Sequence, residues 1–200
     1  MRSRTSFVPS LLLAALAPLM ACDSPAAPDA ALATSTAAGR IAAEGVAVAV
    51  PFEFRGYSVL ESLAPDPSCG APPYFLNIQV GGGEATHLGR FSVRFTFCVD
   101  ATDLLDDGTL TEGESAPYWN GLGTLVAANG DELHVAVEGA VLPSTDPAYD
   151  FQFQDPFVIT GGTGRFEEAG GGGATDSYVS QATNVTEHSW IGTLVMRPRR

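Results

Sequence analysis

Between Asp103 and Glu114 the chain reads Asp-Leu-Leu-Asp-Asp-Gly-Thr-Leu-Thr-Glu-Gly-Glu. Asp103, Asp107 and Glu114 stand at the first, fifth and twelfth places, Gly108 at the sixth and Leu110 at the eighth. A twelve-residue Ca²⁺ loop puts its oxygen ligands at those three places and its sharp turn at the glycine. The third place holds Leu105 where such a loop needs another oxygen, and the flanks read as strand and Pro-containing loop instead of helices. The segment is thus a candidate for a weak Ca²⁺ site, to be weighed against a solvated acidic hairpin loop. No other cofactor is indicated.

The remaining chemistry-bearing residues do not form a pattern. His87, His134 and His188 are scattered, with neither the Ser/His/Asp order of a nucleophilic site nor the Cys/His spacing of a metal site. Glu132 and Glu138 lie six apart and would share one face of a strand, but an exposed acidic face explains them as well. Gly161-Gly162-Thr163-Gly164 suggests a phosphate cradle by glycine content alone. A P-loop needs Gly-Lys-Ser/Thr opening a helix, and the chain has no lysine; a dinucleotide fingerprint needs a βαβ unit. No catalytic residue is assigned.

Charge excludes whole classes of partner. The chain carries 23 carboxylates against 10 basic residues, a formal net charge of −13. With the first 21 residues removed, Arg2 and Arg4 go and every carboxylate stays, giving 8 − 23 = −15. Nucleic-acid binding requires Lys and Arg to displace phosphate counterions, so no nucleic acid is expected.

The first residues explain how so acidic a chain meets a membrane. Arg2 and Arg4 precede an apolar run, Phe7 to Ala21, interrupted by Pro9, Ser10 and Pro18. The run is shorter than the ~20 residues of a spanning helix and has the form of a secretory leader. It ends Leu19-Met20-Ala21-Cys22, which resembles the bacterial lipobox, with Met20 bulkier than the usual filler. The resemblance implies a diacylglycerol thioether on Cys22 and an envelope location, anchored by acyl chains that each contribute ~0.8 kcal/mol per buried CH₂. Residues 23–44 hold nine alanines and no aromatic residue, too little apolar material to pack. The chain therefore divides into a leader (1–21), a lipidated cysteine with an Ala/Pro-rich flexible tether (22–45) and a globular domain (46–197). With Cys22 spent on lipid, Cys69 and Cys98 remain as an even pair in an oxidising compartment, and a disulfide between them is expected.

The globular part is β throughout. Phe52 and Phe54 continue the period-two series of Val46, Val48 and Val50; Phe91, Val93, Phe95, Phe97 and Val99 repeat it most cleanly. Further strands are read at Tyr74–Val80, Leu122–Ala128, Glu132–Val141, Phe151–Ile159, Thr175–Ala182 and Ser189–Val195. Asn129-Gly130 between two of them predicts a hairpin with positive φ at both central residues, and Pro156 predicts a bulge or edge position. The expected fold is all-β, a single antiparallel up-and-down barrel of about eight strands, whose interior is either filled or holds one small ligand.

Gly161, Gly162, Thr163, Gly164, Arg165 and Phe166, followed by Ala169 and Gly171, resemble the turn motif of allene oxide cyclase-like and dirigent-like β-barrels. Gly83 to Phe91 is similar to a segment of bacterial secreted members of the same group. The resemblance implies a barrel; the residues themselves read as glycines that supply positive φ and turn the chain against the barrel rim, with Phe166 tucked beneath as a plug. For function the resemblance implies a cavity that steers ring closure or radical coupling, but none of that group's polar cavity residues can be placed here. The leading expectation is a non-enzymatic envelope lipoprotein whose barrel binds a small apolar ligand or a protein partner. The alternatives are an isomerase- or cyclase-like enzyme, or a surface domain with an exposed aromatic patch at Tyr118, Trp119 and Trp190. The barrel interior separates them.

Overall fold

The computed structural model describes residues 46–197; Cys22, the leader and the tether lie outside them. Alternation sets the first strand, β1 (Val48–Ala64), which turns Phe52, Phe54 and Ser58 inward and Glu53, Arg55 and Tyr57 outward. Then come β2 (Tyr74–Ala85), β3 (Gly89–Asp100), β4 (Ala116–Ala127), β5 (Glu132–Pro143), β6 (Phe151–Phe153), β7 (Pro156–Gly162), β8 (Gly170–Ala174), β9 (Ser177–Ser180) and β10 (Val185–Met196). Consecutive strands from β1 to β5 pair antiparallel, and β10 pairs back onto β1 from Val48↔Met196 to Val59↔Val185. The sheet therefore closes on itself.

Ten segments make eight staves, because two staves are broken in the middle. β6 pairs with the end of β5, and β7 pairs with its first half; β9 and β8 share β10 in the same way. The two breaks lock together. Asp155 N donates to Thr175 Oγ1 at 2.9 Å and Thr175 N returns a bond to Asp155 O at 2.8 Å. Gln154 Nε2 reaches Asp176 Oδ1 at 3.2 Å. Pro156, which has no N–H to give a ladder, opens β7 at this break.

One half of the barrel is solid. Phe52, Phe54, Phe91, Phe95, Phe157 and Trp190 pack with Leu125, Leu133 and Leu194, and the Phe54 and Phe91 rings meet edge to face at 4.9 Å. Room for so many rings comes from an inward glycine: a Cβ on Gly123 would stand 2.7 Å from Phe95 Cε1. Val48 and Met196, where the described chain enters and leaves the sheet, lie at this closed end. The other half carries a looser layer of Phe97, Val99, Tyr118, Val141 and Phe151.

Three expectations are corrected. β4 begins at Ala116, six residues before the expected start, because a bulge between Tyr118 and Gly121 with Asn120 at φ 52° breaks the alternation. At the hairpin tip only Gly130 takes positive φ, 84°. Asn129 stays out of that region because its side chain closes the turn itself: Oδ1 accepts from Asp131 N at 3.2 Å and Nδ2 donates to Asp131 Oδ2 at 2.9 Å. The aromatic patch does not form: Tyr118 and Trp190 are buried inside the barrel, while Trp119 packs outside, edge-on to Tyr74 at 5.3 Å.

Candidate functional site

At the end opposite Val48 the barrel is hollow. A cavity of about 430 Å³ opens there, its walls formed by Phe75, Phe97, Val99, Val141, Phe151 and Phe153. Leu104 and Leu105 of the β3–β4 loop stand at its rim beside Gly108, whose carbonyl accepts from Gln181 Nε2 at 2.7 Å. A smaller hollow of about 40 Å³ continues inward between Gln79, Phe95, Tyr118, Ser177 and His188. The residues lining both spaces include no Asp, Glu or Arg. In so acidic a chain no carboxylate has been placed on the cavity lining.

The floor is a chain of hydrogen bonds across four staves. Trp190 Nε1 donates to Ser177 Oγ at 2.9 Å, and Ser177 Oγ stands 2.8 Å from His188 Nδ1. His188 Nε2 lies 2.9 Å from Ser58 Oγ, which donates to Gln79 Oε1 at 2.6 Å. Burial alone pushes the His188 pKa down to about 3, so the ring is neutral at ordinary pH. Both its nitrogens are engaged.

A second polar pair, with a buried phenol and a half-buried carboxylate, sits at the break between β6 and β7. Tyr118 donates its phenol hydrogen to Asp155 Oδ2 at 2.8 Å. Burial first, and the carboxylate second, raise the phenol's pKa well above its ordinary value. The carboxylate lies over Gly139, where any Cβ would collide with it, and takes a long bond from Ala140 N at 3.4 Å.

The structure separates the residues singled out from sequence. Cys69 and Cys98 are joined, Cα to Cα 5.3 Å apart, on the outside of β3. Gly161 (φ 131°) and Gly164 (φ 58°) turn the chain from β7 into a short 3₁₀ turn, Gly164–Phe166, and Phe166 is fully buried in the closed end. Thr163 Oγ1 accepts from Glu132 N at 3.0 Å, and the Arg165 guanidinium lies 4.9 Å over the Phe166 ring. Asp103, Asp107 and Glu114 do not converge. Asp103 accepts from Ser115 N, Asp107 from Thr109 and Glu114 from Thr111, and no group of three His, Cys, Asp or Glu side chains able to hold a metal occurs among the described residues. His87 sits in the β2–β3 turn at φ 66°. His134 pairs on the outer face with Glu132 at 2.9 Å, and Glu138 is exposed.

Sequence reasoning missed Ser58, Asn77, Gln79, Ser177 and Asp155. A signal was present: Ser58 is in phase with Phe52 and Phe54, and Asn77 and Gln79 with Phe75. A polar residue on the apolar beat of a strand is a polar residue inside the barrel.

No family model and no curated protein matches the chain. Among solved structures it is similar to a dirigent protein, a pterocarpan synthase, with a TM-score of 0.42 and 13% identity over 83% of this chain and 98% of that one.

Proposed function

We propose that this chain is an envelope lipoprotein whose barrel binds one small, neutral, largely apolar molecule. The observation that carries the reading is the open cavity of about 430 Å³, walled by phenylalanines and free of carboxylate and guanidinium groups. Such a volume falls in the range of small-molecule sites, and a neutral apolar guest loses little hydration there while an ion would lose much without a counter-charge. The mouth lies opposite Val48, where the described chain enters the sheet. A protein partner fits this concave, phenylalanine-walled space less well than a small molecule does.

The cavity is tested by titrating the full chain with the neutral fluorophore N-phenyl-1-naphthylamine. A saturable blue-shifted emission is expected, abolished when Val99→Trp fills the cavity; no saturable emission overturns the reading. The anchor is tested by labelling cells with a clickable palmitate. Label on the wild type and none on Cys22→Ala is expected, and an unlabelled wild type sinks the lipoprotein assignment.

A second reading, a cyclase- or isomerase-like enzyme, is favoured by one observation: Tyr118 lines the smaller hollow and donates to Asp155, which lies behind that wall. It requires that a molecule extracted from wild-type protein differ chemically from that extracted from Asp155→Asn. Identical extracts remove it.

A further inference from the structure

We infer that the floor of the cavity is a fixed hydrogen-bond donor, the Gln79 side-chain amide, and that the site selects ligands carrying a carbonyl acceptor. This rests on the cavity being a ligand site. The argument begins at Trp190, whose indole N–H can donate and never accept. It donates to Ser177 Oγ, and the acceptor within reach of that hydroxyl's own hydrogen is His188 Nδ1. An Nδ1 that accepts belongs to a neutral ring protonated on Nε2. That Nε2–H donates to Ser58 Oγ, whose own hydrogen goes to Gln79 Oε1. Each hydroxyl then accepts once and donates once. The reverse direction would make Ser177 Oγ accept from both rings and leave its own buried hydrogen without an acceptor among the described residues.

The polarity of the chain thus orients its last member. Gln79 Oε1 is held toward Ser58, so the two Nε2 hydrogens are presented on the other side. Gln79 is 8% exposed and lines both the deep hollow and the open cavity. Its Nε2 has no hydrogen-bond partner among the described residues, although every other polar side-chain group of the chain from Trp190 to Gln79 is paired. It is a donor that opens onto the cavity and has no protein acceptor there. A ketone, ester or amide oxygen arriving between Phe97 and Phe153 would satisfy it. A pure hydrocarbon guest would desolvate that amide and give nothing back.

The test uses two neutral probes with one skeleton, the ketone camphor and the hydrocarbon camphane, each displacing N-phenyl-1-naphthylamine from the full-length protein. Camphor is expected to compete about tenfold better, with its carbonyl stretch moved to lower frequency on binding and the Gln79 side-chain amide protons moved downfield in ¹⁵N-edited spectra. Gln79→Met should erase the preference and the carbonyl shift, with camphane competing better than in the wild type because no amide is left to desolvate. Equal competition by the two probes in the wild type, with an unshifted carbonyl, overturns the donor and leaves the cavity reading standing. A carbonyl shift that survives Gln79→Met also overturns it. Competition by neither probe, with the fluorophore itself unbound, removes the cavity reading and this inference together. The wild-type frequency and amide shifts decide the matter even where the variant does not fold.

Discussion

The hydroxyl of Tyr118 meets Asp155 Oδ2 at 2.8 Å across the gap where β6 ends and β7 begins. The bond ties β4 to the broken stave, and it is shorter than the carboxylate's bond from Ala140 N at 3.4 Å. Tyr118→Phe keeps the ring against Phe97 and Phe153 and leaves a carboxylate short of a donor. A loss of ~1–3 kcal/mol is expected in urea unfolding. Because the folded phenol's pKa is raised above its ordinary value of 10.0, this contribution is full below pH 10 and falls away as the pH rises beyond it. Tyr118→Phe should therefore flatten the alkaline limb of the stability profile.

His188 gives the opposite dependence. Its pKa is pushed down to about 3 by burial, among Ser58, Ser177, Phe54, Phe95 and Trp190, none of which carries charge. The unfolded chain binds a proton near pH 6.5 that the folded chain refuses. Stability is full above that pH and falls as the pH drops toward 3, by at most ~1.4 kcal/mol per unit from this one group. Surface carboxylates titrate in the same range, so the measurement is a difference. The gap in unfolding free energy between wild type and His188→Gln should narrow steadily from pH 7 to pH 4. A gap that stays constant would show that His188 titrates normally.

Much of the fold was legible because an antiparallel barrel writes its interior on every second residue. The beat from Phe91 to Val99 placed β3, and the glycines around Thr163 placed the turn that seats Phe166. Legibility failed wherever the beat was broken. The bulge at Trp119-Asn120 hid the first half of β4. The run Gly170–Gly173 reads as loop, yet it forms a strand because its inward glycines let neighbouring backbones approach: a Cβ on Gly171 or Gly173 would collide with a carbonyl of β10. The site was hidden for another reason. Its floor joins residues 58, 79, 177, 188 and 190, which only closure of the sheet brings together.

Cys69 and Cys98 are separated by 29 residues, and their bridge holds the Pro-rich β1–β2 connection against the outer face of β3. Closing a loop of that length restricts the unfolded chain by ~3–4 kcal/mol on the loop-entropy account. The double replacement Cys69→Ala with Cys98→Ala should lower the unfolding free energy by about that amount. Fluorophore affinity should be unchanged, since neither cysteine lines the cavity. Loss of binding would mean that the bridge also shapes the mouth.

Phe166 is the side chain that seals the closed end. It is fully buried, backed by Leu133, Ile159 and Ala169. The turn that delivers it is held by Thr163 N to Glu132 O at 2.9 Å and Ala169 N to Phe166 O at 3.0 Å. Phe166→Ala empties a ring's volume in a place the surrounding staves cannot collapse into, because β5, β7 and β10 are each fixed by ladders on both sides. A cost of ~3–5 kcal/mol is expected. Gly164→Ala attacks the same plug from the backbone: φ is 58°, and a Cβ there would collide with the Asp131 carboxylate. Both variants should unfold at lower urea with an unchanged dependence on denaturant, since they weaken one cooperative barrel. If instead the closed end frayed alone, hydrogen exchange would rise at Phe166 and Leu194 while the β2–β3 pairs at the mouth stayed protected. That pattern would show that the two halves of the barrel do not unfold as one unit.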